Sequence, residues 1–524
     1  GPRQTGVCRQ GHRPVRLTRP GLADPVATGA NSRPWASWTA ATAWAASASL
    51  LMVGGLAVCS GLIDLIGTGS DSMTLLVSGS GMGLLGALLF RRVAGPVNVR
   101  PADIIAATTL AVTLGILLVS GLYLVTGAAQ QPDDALFEAT TGITTTAMSV
   151  LDPTGLGHGL RFIRAGSQWL GGFTALLVGI VILPFFGFGR EFADRSRSGG
   201  YRPLAPDEVS ATRNIARLYV PGTGLIWAAY MLAGKSPFDS LLLAMSTVST
   251  GGFTNSPDEF ADPSVQWVAI AGMLLAGSSM VTLWHVIVGG RGLQRQTGLA
   301  PYLGLHVAGV LLLVLWSTGV DIAAVRRLLF VVAASVSTTG FPMDVPGEWA
   351  TAAPVLLLLL VSVGAMSGSP SGGLQVRQHR ILMRLALREM ARQLHPRAVL
   401  KVRLAGRVAG EDTLRQIVIL QFLFVAVIFS TAFLVAVFGL DLADSLSAAV
   451  HATATAGPVR GIDGAMLDPA DWPRTARLAL LPAMVFGRLS IYPAVVAVAA
   501  LLKLLRDRIR LRRRYMARKY GADL

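Results

Sequence analysis

The stretch Ser246-Thr-Val-Ser-Thr-Gly-Gly-Phe253 lies between two long apolar runs, and three similar stretches stand elsewhere in the chain. They are Thr141-Gly-Ile-Thr-Thr-Thr-Ala-Met148, Ser335-Val-Ser-Thr-Thr-Gly-Phe341 and Thr453-Ala-Thr-Ala-Gly-Pro458. All four are small, hydroxyl-rich and uncharged. Thr and Gly favour neither a long helix nor a packed strand. Such a segment suits ion coordination, because Gly lets successive carbonyls turn one way and hydroxyls add oxygen ligands. Four copies in one chain predict four quadrants of a single pore.

The chain has 524 residues, 52% hydrophobic and 14% charged, with a mean hydropathy of +0.56. Soluble chains carry about 25% charged residues, so this is the composition of an integral membrane protein. The net charge of +16 lies mostly in connectors and tails between apolar runs. Orientation by the positive-inside rule explains that placement, and no aromatic-basic module for nucleic acid is visible. Two cysteines, Cys8 in a polar tail and Cys59 in an apolar run, give no disulfide framework and no thiolate metal site.

Residues 1–39 read as a disordered basic tail, and Gly1-Pro2, with no initiator Met, reads as a protease-cleavage scar. Residues 40–92 hold two spanning helices with no hydroxyl-rich loop between them. From residue 103 a unit recurs four times: spanning helix, short half-helix, hydroxyl-rich loop, second spanning helix. The units run over 103–187, 213–289, 300–373 and 413–505, with a basic connector at 374–412 and a basic tail at 506–524. The expected fold is an all-α integral membrane protein of about ten transmembrane helices, two of them extra N-terminal ones. Register supports the repeat: Asp134, Asp239 and Asp444 stand thirteen residues before Ala147, Gly252 and Gly457. An Asp there is expected to cap a half-helix whose C-terminal end points at the loop. The third unit breaks this rule, with Arg327 thirteen before Gly340.

Basic connectors place both chain ends and the 374–415 segment on the inside. The opposite side carries Asp258, Glu259, Asp262, Asp344, Glu348, Asp441, Asp463, Asp468 and Asp471. These either form an acidic outer mouth that concentrates cations or are solvated loop charges. The connector, with Arg377, Arg380, Arg384, Arg388 and Arg392, reads as a basic helix. It either binds anionic membrane lipid or a cytosolic partner, or only obeys the positive-inside rule.

Three motifs that suggest enzymes do not hold up. Gly81-x-Gly83-x-x-Gly86 matches a dinucleotide fingerprint but lies inside an apolar helix, where small residues serve close packing. Gly234-Lys235-Ser236 ends like a phosphate loop, yet position 229 is Ala. No His-Glu-x-x-His zinc helix is present. The expectation is a non-enzyme with no cofactor in the chain.

Two intramembrane features remain. Gly364-Ala-Met-Ser-Gly-Ser-Pro-Ser-Gly-Gly373 must break its helix, and unwound backbone at that depth is tolerated only where protein or water covers it. It is either a gate beneath a filter or a packing kink. Arg488 has no other charge within ten residues on either side. A mid-helix Arg costs several kcal/mol, on the order of 3, unless it faces water or a partner, so it is expected to point into the pore.

These residues resemble the Trk/Ktr/HKT superfamily of potassium transporters, and within it the TrkH-like pore-forming subunits. The likeness covers most of residues 40–505 and includes Gln168-Trp-Leu-Gly-Gly172, Ser367-Gly-Ser-Pro-Ser-Gly-Gly373 and Gly487-Arg488-Leu489. The resemblance implies a pseudo-fourfold pore in each subunit, a homodimer in a bacterial plasma membrane, and passive or gradient-coupled uptake of potassium. It also implies a separate cytosolic ring subunit of the TrkA/KtrA kind, so that nucleotide control acts in trans. Potassium ligands are then expected from the backbone carbonyls of Thr145, Thr146, Val248, Ser249, Thr250, Ser337, Thr338, Thr339, Ala454, Thr455 and Ala456. Gly251, Gly252, Gly340 and Gly457, with Ala147 in the first loop, direct them. The expected gate is Gly364, Ser367, Gly368, Ser369, Gly372 and Gly373 with Arg488.

The family pattern has one Gly at the heart of each loop, and Ala147 departs from it. In plant relatives a Ser at this position goes with sodium permeation. A sodium-permeable or weakly selective conductance is thus an alternative, and a non-conducting scaffold or sensor is a further one. Val459, Arg460 and Gln375 are smaller departures.

Overall fold

The computed structural model describes residues 34–67, 69–93, 101–182, 208–287, 298–317, 321–343, 352–397, 400–404, 407–408, 410–461, 463–489, 495 and 506. The expected tails at 1–33 and 507–524, the connector stretches 94–100, 183–207 and 288–297, and the acids Asp344 and Glu348 lie outside them. So does nearly all of the fourth unit after Leu489.

Among the described residues the regular structure is helical apart from a short hairpin with two residues in each strand, β1 (Arg403–Leu404) with β2 (Arg407–Val408), and an isolated bridge between Arg460 and Met466. The helix α1 (Pro34–Ile66) begins six residues before the expected start of the first span at residue 40. It pairs with α2 (Ser72–Arg92) through small residues. A Cβ on Gly54 would lie 2.8 Å from Gly83 N, and one on Gly79 would lie 2.7 Å from Val58 N. Of the glycines in the false fingerprint, Gly86 abuts Leu50 and Leu51, while Gly81 faces open space. Close helix approach, not ligand contact, is what this spacing serves.

After α3 (Pro101–Val125) come α4 (Pro132–Ile143) and α5 (His158–Leu177), the latter extended by a π-turn at Val178–Ile182. The second unit holds α6 (Glu208–Leu232), α7 (Pro237–Val248), α8 (Pro263–Ala276) and α9 (Met280–Ile287). The third holds α10 (Leu299–Trp316), α11 (Ile322–Val336) and α12 (Ala353–Val363). The connector helix α13 (Val376–Leu394) leads to α14 (Glu411–Val437), α15 (Leu442–Ala454) and α16 (Arg474–Arg488).

Among the described residues five helices are long and apolar enough to cross a bilayer: α1, α2, α3, α10 and α14. These five neither reach nor exclude the expected count of ten, because the pore-side helices are interrupted or stop where the described residues stop. The π-turn ends α5, Gly277–Ser279 splits α8 from α9, and 364–375 follows α12. Pro221 lies within α6.

The four short helices α4, α7, α11 and α15 precede the four hydroxyl-rich stretches. Their caps correct the expectation from the Asp register. Gln131, Ser236, Asp321 and Asp441 hold the N-cap positions. Asp134, Asp239 and Asp444 sit in the first turn, where a negative charge also complements the helix dipole. Asp239 N donates to the Ser236 hydroxyl, which donates back to the Asp239 carboxylate. Helix α11 has 15 residues against 12, 12 and 13 in the others. Its cap is therefore one turn further back, which is why Arg327 occupies the thirteenth position.

Candidate ion pore

Each short helix stops at a threonine in the left-handed region: Thr145 at φ 54°, Thr250 at 52°, Thr338 at 57° and Thr455 at 48°. These four are equivalent, each two residues before Ala147, Gly252, Gly340 or Gly457. A β-branched residue is strained there, and its recurrence at four matched positions marks one repeated backbone device. Ending the helix this way leaves its last carbonyls without helical partners, and the negative end of its dipole points onward.

The four loops close on one another. A Cβ on Gly252 would strike Thr339 O, one on Gly340 would strike Gly457 O, and one on Gly457 would strike Thr146 O. The circuit ends where the Cβ of Ala147 stands 3.1 Å from the Cβ position of Gly252. Thr145, Thr146, Ala147, Val248, Ser249, Thr250, Ser337, Thr338, Thr339, Ala454, Thr455 and Ala456 are all buried in this ring, as are Gly251, Gly252 and Gly457, with Gly340 half-buried.

Backbone direction is less uniform than expected. Gly252 at φ 91° and Gly340 at 65° use the freedom of glycine. Ala147 takes φ 54° despite its Cβ. Gly457 is not among the positive-φ residues, so it is glycine for space beside Thr146, not for its dihedral. Hydroxyls pair within the first loop, Thr144 with Thr146 at 2.8 Å, and within the third, Ser337 with Thr339 at 2.8 Å. The buried hydroxyls of Thr145 and Thr455 have no protein partner.

On one side of the ring is a cavity of about 290 Å³ whose lining draws on all four units, among them Ser149, Thr254, Pro342 and Asp468. Of the expected mouth acids among the described residues, only Asp468 lines it. Asp262 caps α8, Asp441 caps α15, and Asp463 and Asp468 bind nearby backbone N–H groups. The backbone N–H and hydroxyl of Ser264 hold the Asp262 carboxyl below the usual range. Glu259 is buried and pairs with Lys235 at 2.7 Å, so it is neither a solvated loop charge nor a cation lure.

On the opposite side of the ring, residues 364–373 lie against the third and fourth loops. Gly364, Gly368 and Gly373 adopt φ of 69°, 86° and 71°, so this backbone is open to glycine alone without strain. Gly372 N donates to the Thr338 hydroxyl at 2.8 Å, and a Cβ on Gly372 would strike Ala454 O and Thr455 Oγ1. The segment also joins the break in the second unit: Met280 N donates to Gly368 O and Met366 N to Gly277 O. Ser369 bonds Ser371 and Met366 O, and Ser367 is half-buried. Arg488 is 5% exposed, and its Nη1 donates to Pro370 O at 2.7 Å.

A family model described as a cation transport protein, TrkH, matches residues 320–504. The Trk system potassium uptake protein TrkI of Halomonas elongata is 31% identical over 415 residues, covering 76% of this chain and 84% of that protein. The chain belongs to the TrkH family. The TrkH of the same organism is 31% identical over 438 residues, covering 78% of this chain and 88% of the relative. The crystal structure of the potassium transporter TrkH from Vibrio parahaemolyticus superposes with a TM-score of 0.80 at 21% identity. It covers 87% of this chain and 98% of that one.

In this TrkH-family chain α5 braces the ring, and its motif Gln168–Gly172 does so residue by residue. Gln168 Oε1 accepts from the Ser246 hydroxyl at 3.0 Å and from Phe253 N at 3.3 Å. Gly171 presses on Ile143 O, and the Cβ position of Gly172 lies 2.7 Å from Ser249. In α16, Gly487 presses on Thr453 O in the same manner.

Sequence reasoning missed the charged network behind the first two loops. Glu138 in α4 accepts from Arg164 Nε at 2.9 Å, from the Ser149 hydroxyl and from Val150 N. Arg164 lies 4.3 Å over the Phe253 ring and donates to Thr254 O, so it ties loop one to loop two. Both charges interrupt apolar elements, and that interruption was the available signal. Asp134 likewise serves as an ion-pair partner of Arg477, at 2.7 Å.

Proposed function

We propose that this chain is the pore-forming subunit of a bacterial potassium uptake system in the plasma membrane, with both termini cytoplasmic. Potassium passes through the ring of four loops, and backbone carbonyls at Thr145, Thr146, Val248 to Thr250, Ser337 to Thr339 and Ala454 to Ala456 replace its hydration shell. Four short helices aim the negative ends of their dipoles at the same place, which favours a cation and disfavours an anion. The observation that carries the reading is the matched left-handed threonine before each loop centre, with the loops closed into a ring.

Residues 364–373 form the gate. They lie against the third and fourth loops on the helix-end face of the ring, and conduction requires Gly372 to leave Thr338 and Thr455. Arg488 holds the loop through Pro370 and places a positive charge on the ion path, which shortens the stay of a cation there. The relatives carry names of potassium uptake systems, which supports assembly with further subunits. The subunit works as a homodimer with a cytosolic nucleotide-binding ring of the TrkA/KtrA kind.

A second reading, permeation of sodium beside potassium, is favoured by Ala147. Its Cβ stands at the centre of the first loop against Gly252. Flux of rubidium and of sodium through the purified chain in liposomes tests both readings. Rubidium flux well above sodium flux supports potassium uptake, equal fluxes support the second reading, and no flux of either removes both.

A further inference from the structure

The connector helix α13 has two apolar faces, although only one is packed. Ile381, with Leu382 and Leu385, packs against Val402, Leu414 and Ile417. Met383, Leu387, Met390 and Leu394 form a separate stripe, 63%, 56%, 62% and 78% exposed. Their spacing of four, three and four residues keeps them on one side of the helix. The same helix carries five arginines and a single acid, Glu389, so its charge is 5 − 1 = +4. Arg388 and Arg392 pair with Glu389, and Arg388 also with Glu411.

Depth follows from the packing. Leu414 and Ile417 belong to the first two turns of α14, beside Glu411, Asp412 and Arg415. From Gln416 to Val437 that helix has no charge, and Val418 and Phe422 are exposed just beyond the contact. The helix α13 is therefore at the level where an apolar span meets headgroups, and its stripe is exposed at that level.

We propose that α13 is an interfacial helix that binds anionic phospholipid of the inner leaflet. The stripe enters the acyl region, and Arg380 and Arg384 hold headgroup phosphates. Charge selects this occupant: a second copy would bring a like +4 helix to the contact, whereas an anionic leaflet complements it. The helix is also continuous with the gate segment. Leu374 N donates to Ser362 O and Val376 N to Ala365 O, so lipid held on α13 sets the resting position of residues 364–373.

Native mass spectrometry of the full chain, in micelles doped with phosphatidylglycerol and phosphatidylcholine, tests this directly. The unsubstituted chain is expected to retain phosphatidylglycerol preferentially. Arg380→Gln with Arg384→Gln is expected to lower that preference by about thirtyfold, from a contribution of about 1 kcal/mol per arginine near an anionic surface. The Lys pair at 380 and 384 should keep it. No preference in the unsubstituted chain, or equal preference in the Gln variant, overturns the proposal. In nanodiscs holding phosphatidylglycerol, Met383→Cys on a background without Cys8 and Cys59 should resist a water-soluble maleimide. Full reactivity there would mark the stripe as a face for a soluble partner and overturn the proposal. So would a monomer formed by Met383→Ser with Leu387→Ser while lipid preference is unchanged.

Discussion

Ala147 occupies a left-handed backbone conformation that the second and third loops fill with Gly252 and Gly340. At φ 54° it carries a strain of roughly 1–2 kcal/mol. Ala147→Gly removes that strain but adds chain entropy to the unfolded state, about 0.5–1 kcal/mol, so stability should move by no more than about 1 kcal/mol. Selectivity should move more, because the methyl group leaves the point where loops one and two meet. The rubidium-to-sodium flux ratio is expected to rise in this variant, and an unchanged ratio would show that the methyl group does not tune the ring. Arg488→Gln should raise flux by removing the fixed charge and weakening the hold on Pro370, as read by initial rubidium uptake. The sequence displayed both residues plainly, one as a missing glycine and the other as a lone charge. It did not display the exemption of Gly457 from positive φ, since glycine for space and glycine for dihedral look alike in a sequence.

The short helices and the gate segment work as elements whose contacts are distant in sequence. Thr338→Val deletes the acceptor for Gly372 N, a bond with a net contribution of about 1 kcal/mol, or about fivefold in an equilibrium. Opening of the segment should become easier by that factor, measured as flux at fixed protein density; reduced flux would place the hydroxyl among the ion ligands instead. Glu138→Gln leaves Arg164 buried without its counter-ion. Breaking one partner of a buried pair costs about 3–5 kcal/mol, so thermal unfolding of the purified protein should shift sharply downward. Retention of the native midpoint would contradict the structural role of this pair. Helical spans, loops and breaks were legible in sequence because apolar runs and Gly-Ser-Pro clusters are local signals. The Glu138–Arg164 and Asp134–Arg477 pairs were not, since nothing local states which charge a distant helix brings.

At the scale of the molecule, the N-terminal pair α1–α2 packs on the first unit through apolar side chains such as Val53, Ala57 and Leu75, and one buried carboxylate adds a polar tie. Asp64 accepts from Gly159 N at 3.0 Å in the first turn of α5 and from Asp71 N at 3.1 Å. Asp64→Asn keeps the shape but loses the charge at a helix N-terminus, so stability should fall by about 1–2 kcal/mol while flux per folded molecule stays unchanged. A loss of flux without a loss of stability would give α1–α2 a part in conduction. The central claim is that four unequal loops make one cation path. The most direct measurement is rubidium uptake into liposomes holding the purified chain alone, compared with Gly340→Val, where a side chain would meet the Gly457 carbonyl. Uptake by the unsubstituted chain, abolished in a correctly folded Gly340→Val variant, is the result expected. Equal uptake by both would contradict a path through the ring.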